Sequence, residues 1–162
     1  MADDTQNGTL RSRGKLGTLQ SVVNGRLTAQ VSTVEVTAAA SAASTYTMFR
    51  IPSTARIMGA STVYFDDLAS TGSPTIDFGL KAVSSNITTD VDALNDGVDV
   101  ATAASNARLI KDISNYGKMA WEFVNGQTSD PGGFLDVIIT ILDAATNSGG
   151  TITAELFMST DN

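Results

Sequence analysis

The chain contains neither cysteine nor histidine. The first absence excludes disulfides, thiolate metal ligands and a thiol nucleophile. The second excludes an imidazole base, a Ser-His-Asp triad and most zinc sites. Charge is scarce too: 17% of the 162 residues are charged, against roughly 25% in ordinary soluble domains. No stretch approaches the ~20 apolar residues that cross a bilayer. The longest apolar cluster, Val137-Ile138-Ile139 with Ile141-Leu142, is broken by Thr140 and bounded by Asp136 and Asp143. The polar start, Met1-Ala2-Asp3-Asp4, lacks the basic and apolar regions of a secretory signal, so use without export is expected. Basic residues are the minority, 10 against 17 acidic, for a net charge of −7. That balance argues against nucleic-acid binding by the body of the protein, which would need clustered Lys and Arg.

What fills the space is small. Thr, Ala, Ser and Gly together occupy 71 of the 162 positions, with 21 Thr. Thr is β-branched and suits a pleated surface, whereas a helical bundle would show Glu/Lys-rich faces. Small hydroxyl side chains also lose less entropy than long charged ones when a neighbour orders them. Residues 1–25 stand apart as a polar arm carrying Arg11, Arg13 and Lys15, with a net charge of +1, ahead of an acidic domain, 26–162, of net charge −8. The arm reads either as a frayed terminus or as an extension that orders on a partner.

From Arg26 onward the period is two. Leu27-Thr28-Ala29-Gln30-Val31 alternates, then Val34-Glu35-Val36 alternates in the opposite phase, which predicts a β-bulge or bend. Further strands are expected over residues 45–51, 56–65, 76–82, 108–113, 118–123, 134–142 and 151–158, with 134–142 central and covered on both faces. Between them, residues 89–97 predict a short helix, with Thr89 as its cap, acids in the first turn and Gly97 at its stop. The sum is an all-β protein: a two-sheet antiparallel β-sandwich, jelly-roll-like, of about eight strands and one short helix, an immunoglobulin-like sandwich being the rival. Its expected core includes Phe78, Leu80, Trp121, Phe123, Val137, Ile139, Leu156 and Met158.

Few residues are placed for chemistry. Carboxylates cluster at Asp66-Asp67 and at Asp90, Asp92, Asp96 and Asp99. The second group fails the spacing of a calcium loop, since Leu94 stands where an oxygen ligand belongs. Asp130-Pro131-Gly132-Gly133 has no following Lys or helix, so it reads as a turn and not a phosphate loop. No catalytic residue, metal ligand set or cofactor is expected. Arg50 and Arg56, flanking Pro52, can pair with a carboxylate on a partner or within the chain.

The order of features is familiar: a basic arm, the Phe49-Arg50-Ile51-Pro52 element, Asp96-Gly97-Val98-Asp99-Val100, Trp121-Glu122, and Asp130-Pro131-Gly132-Gly133 leading into an apolar strand. Over residues 10–158 this resembles the capsid decoration, or cement, proteins of tailed bacteriophages. The resemblance implies a structural virion protein with no enzymatic activity. It would bind the outer surface of the head between capsomers and stabilise the shell, with the major capsid protein and copies of itself, as a homotrimer, for partners. Neither nucleic acid nor membrane is an expected partner. Arg11, Arg13 and Lys15 would anchor the arm, and Arg50 and Arg56 would lie at an interface. The alternative is a receptor- or glycan-binding β-sandwich module of a phage tail or fibre, for which Tyr46, Tyr64 and Tyr116 are the candidate contacts.

Overall fold

Alternation at a period of two dominates the structure, a computed structural model that describes residues 25–83 and 87–161. Among these residues nine strands form: β1 (Gly25–Val36), β2 (Thr45–Pro52), β3 (Arg56–Ile57), β4 (Thr62–Phe65), β5 (Thr75–Ala82), β6 (Asp90–Asp99), β7 (Ser105–Arg108), β8 (Phe134–Leu142) and β9 (Gly150–Asp161). The first sheet runs β1-β9-β4-β7, with β3 also on β9; the second runs β2-β8-β5-β6. All pairings are antiparallel. Leaving aside the two-residue β3, every link except β5 to β6 passes from one sheet to the other. This is the strand order of an eight-stranded jelly roll, and the expected β-sandwich is the observed fold.

The core lies between the sheets. Ile76, Phe78 and Leu80 of β5 face it with Val137, Ile139 and Ile141 of β8, opposite Ile152, Ala154 and Leu156 of β9, and all of these are buried. β8 is indeed buried along both faces, because Asp136, Ile138 and Thr140 on its outer side are covered too. Seven of the eight expected core residues are buried; Trp121 is half-exposed.

Four local expectations fail, each for a physical reason. β1 has no bulge: it pairs with β9 in unbroken register from Gly25 to Val36. The phase change at Val34 is therefore a change in which face of the strand is apolar. The expected helix over residues 89–97 is β6. The Thr89 hydroxyl accepts from the Ala82 amide at 3.1 Å and closes a turn instead of capping a helix. Gly97 does take a positive φ, 72°, but inside the strand. The strand expected over 108–113 is displaced to β7, after which Leu109 and Ile110 turn into the core.

Residues 118–123 are not a strand; Ala120–Phe123 is a 3-10 turn, preceded by another at Ile113–Asn115. The Ala120 and Trp121 amides donate to the Ala55 and Ser53 carbonyls, which draws this segment across the end of the sandwich. Glu122 folds back to accept from the Met119 amide at 2.6 Å. Ala120 and Phe123 are thereby buried at a spacing of three, and Trp121 is turned half outward.

Candidate interaction surfaces

The two outer faces of the sandwich differ in chemistry. On the second sheet the outward positions carry acid. Asp77 of β5 is only 2% exposed, and its carboxylate accepts from the Gly97 amide at 2.8 Å. Burial pushes its pKa up; the Gly97 hydrogen bond opposes this, while the charges of Asp96, Asp92 and Asp143 add to it. Asp92 is raised as well, first by its hydrogen bond with Asp90 and then by burial. Asp136 of β8 faces Arg50 of β2, whose guanidinium donates to it twice, at 2.7 and 3.1 Å. That bidentate pair is the ion pair found among the described residues, and it leaves the Arg50 side chain 59% exposed.

The calcium-like segment is spent on local structure. Asp90 accepts from the Asn125 amide at 2.7 Å, and Asp99 accepts from the Ala101 amide and the Thr102 hydroxyl. Among the described residues no group of three or more carboxylates is disposed to hold a metal ion.

These carboxylates titrate in two windows. Asp77 has a raised folded pKa, so the folded state takes up a proton before the unfolded state does. Its charge thus costs stability at neutral pH, and acidification toward the ordinary carboxylate value recovers that stability. Asp66, Asp99 and Asp112 are lowered, chiefly by hydrogen bonds from Thr151, Thr102 and Ser114 respectively. Their stabilisation is present above the ordinary value and is lost as pH falls through their folded values. Asp77→Asn keeps an acceptor for Gly97 and removes the buried charge. At pH 7 its melting temperature should exceed that of the parent, and the gap should close as pH falls toward 4. Thermal melts from pH 7 to 4 measure this; a variant less stable at pH 7 would contradict it.

The outer face of the first sheet is close to neutral. By register it holds Leu27, Ala29, Val31, Thr33 and Glu35 of β1 beside Ser159, Phe157, Glu155, Thr153 and Thr151 of β9. Thr62 and Tyr64 of β4 and Arg108 of β7 continue it. The hydroxyls of Thr33 and Thr153 bond each other at 2.8 Å. Leu27 and Val31 are 68% and 66% exposed. An open groove of about 600 Å³ lies between the edge strands of the two sheets, lined by residues 27–30 of β1, Arg50 and Pro52 of β2, and Met158 and Thr160 of β9.

The sequence-derived candidates fall unevenly on this frame. Arg11, Arg13 and Lys15 lie outside the described residues. Arg50 is held by Asp136 at the rim of the groove. Arg56 donates to the Gly117 carbonyl at 2.7 Å, about a strand's width from the same end of β9. Tyr64 is exposed on the near-neutral face, whereas Tyr46 and Tyr116 pack on the core and Tyr116 accepts from Arg108. The exposed pair Leu27 and Val31 was not singled out from sequence. Its signal was there, as apolar residues in both phases of one strand.

No family model matches the chain, and no curated protein sequence does. Two solved structures share its fold. One is from the capsid of Ralstonia phage GP4: 18% identity, TM-score 0.62, covering 86% of this chain and 87% of that one. The other is from the capsid asymmetric unit of cyanophage Pam1: 18% identity, TM-score 0.54, covering 84% and 86%. At this identity the likeness defines a fold class, a jelly-roll sandwich of the kind found in those two particles.

Proposed function

We propose that this protein is a structural component of a bacteriophage virion, located on the capsid, and that it acts without catalysis. The observation that carries the reading is the near full-length match, in both directions, to chains of two phage capsids. More finely, it is a decoration or cement protein on the outer surface of the head, bound between capsomers to the major capsid protein and to copies of itself, as a trimer. The near-neutral, hydroxyl-rich face of the first sheet supports this, since Thr and Ser can be buried against a neighbour at small entropic cost. A standard interface buries about 1,200–2,000 Å². Repeated over a symmetric shell, a modest free energy per copy resists internal pressure.

The arm supplies the second attachment. Arg11, Arg13 and Lys15 meet acidic surface on the shell or on a neighbouring copy, and Arg50 and Arg56 lie at the same margin of the sandwich. Several arms on one oligomer then bind with avidity. Mass spectrometry and electron microscopy of purified virions test the reading; absence of the protein from mature particles overturns it. Deleting residues 1–16 should weaken binding to shells at least tenfold while the thermal melt stays unchanged. Unaltered binding would remove the arm from the account.

A further inference from the structure

We infer that β1 is a docking edge for a second copy of this chain, the two β1 strands pairing antiparallel about a dyad at Ala29. The inference starts from how the four sheet edges are treated among the described residues. An unpaired strand edge invites foreign strands, and proteins blunt it with bulges, Pro, charge or shortness. β2 carries Pro52, the charged Arg50 and a register shift between Thr47 and Phe49. β6 carries four Asp and two register shifts against β5. β7 is four residues long. β1 is the least protected of them: twelve residues in unbroken register with β9, without Pro or a bulge, its two charges, Arg26 and Glu35, standing near its ends and none from Leu27 to Val34. It also exposes Leu27 and Val31 outward, on the same face.

The pattern of β1 selects a copy of itself as occupant. Residues directly opposite in an antiparallel pair share a face, so only registers that oppose odd to odd positions continue the sheet. With Ala29 on the dyad, Leu27 lies opposite Val31 of the second copy, and Val31 opposite its Leu27. Four exposed apolar side chains then cover one another around two alanines. In the same register Thr33 faces Gly25, Arg26 stands opposite Ser32, and residues 27 to 31 carry no charge. The overlap from Gly25 to Thr33 is nine residues, roughly 30 Å long. That is small beside a standard interface, so association in free solution is weak and gains strength where copies are arrayed. Glu155 beside Val31, Glu35 and the acids of the second sheet give the two copies a like charge that salt screens, so added salt should strengthen the association.

The absence of cysteine makes the register directly readable. Ala29→Cys places two thiols opposite each other, within reach of a disulfide. Thr33→Cys places them about 27 Å apart in the same dimer. Oxidation of the purified full chain, with no shell present, should give at least ten times more covalent dimer for Ala29→Cys than for Thr33→Cys. Adding Val31→Lys to Ala29→Cys should cut that yield at least fivefold with circular dichroism and thermal melt unchanged, since Val31 is exposed. Equal yields from the two cysteine variants overturn the proposal. So does a yield that Val31→Lys leaves intact, or a parent chain that shows no self-association at hundreds of micromolar. Because the assay needs no capsid, its outcome is separate from that of the virion reading.

Discussion

Phe78→Ala should lower the melting temperature by about 6–20 °C. Phe78 is fully buried near the middle of β5 and faces the core, with Ile139 of β8 and Asn95 of β6 as register partners. Truncating a core Phe costs about 3–5 kcal/mol, because the cavity only partly collapses. In a chain of this length each kcal/mol moves the midpoint by roughly 2–4 °C. Scanning calorimetry measures it. A shift below about 3 °C would mean that the two sheets do not close on Phe78 as described. Val31→Ala, the matched surface change, should move the midpoint by no more than about 0.5 kcal/mol's worth.

Gly79→Ala should be nearly as damaging, although it adds one methyl group. Phe78 faces Asn95 and Leu80 faces Asp90, so Val91 to Leu94 of β6 span the single residue Gly79. The β6 main chain lies directly on it. A Cβ at Gly79 would come closer than 3.0 Å to the Val91 carbonyl group and the Asp90 oxygen. These are backbone atoms, which cannot swing aside as a side-chain tip would. The expected loss is about 2–3 kcal/mol, at the upper end for overpacking. Amide exchange should accelerate in β6, at Gly97 and Asn95 above all, while β8 and β9 keep their protection. A neutral Gly79→Ala, or loss spread evenly over both sheets, would refute this account of the β5–β6 contact.

The parts of the fold that were legible from sequence are those where one rule governs. β5, β8 and β9 alternate cleanly because each has a core face and nothing else acts on it. At residues 89–97 two rules collided. Acids early and a glycine late suit a helix, and they equally suit a charged, bulged edge strand whose Gly97 amide serves Asp77. The competing partner, Ala82 for Thr89, is close in space and invisible in local pattern. Residues 118–123 misled differently. Met119, Trp121 and Phe123 mimic a strand, but the hydrogen bonds that organise them come from Ser53 and Ala55, more than sixty positions earlier. Of the surfaces, the acid on the second sheet was visible as composition, though not the burial of Asp77. The apolar edge of β1 was written in the sequence as the phase of Leu27 and Val31, opposite to that of Val34 and Val36, and the change of phase was read as a bulge or bend.

The ladder between β1 and β9 has a further consequence, for how the chain reaches its fold. Thr33 and Thr153 bond each other across 120 positions, and β9 pairs with β1, β3 and β4. Pairings of such long span must pay loop closure before they return any contact energy, which places folding in the millisecond-to-second range typical of β-sandwiches. Throughout that interval β1 has two open sides instead of one. Slowing translation between the β8 and β9 codons should therefore lengthen the aggregation-prone window, whereas a pause before β8 should matter less.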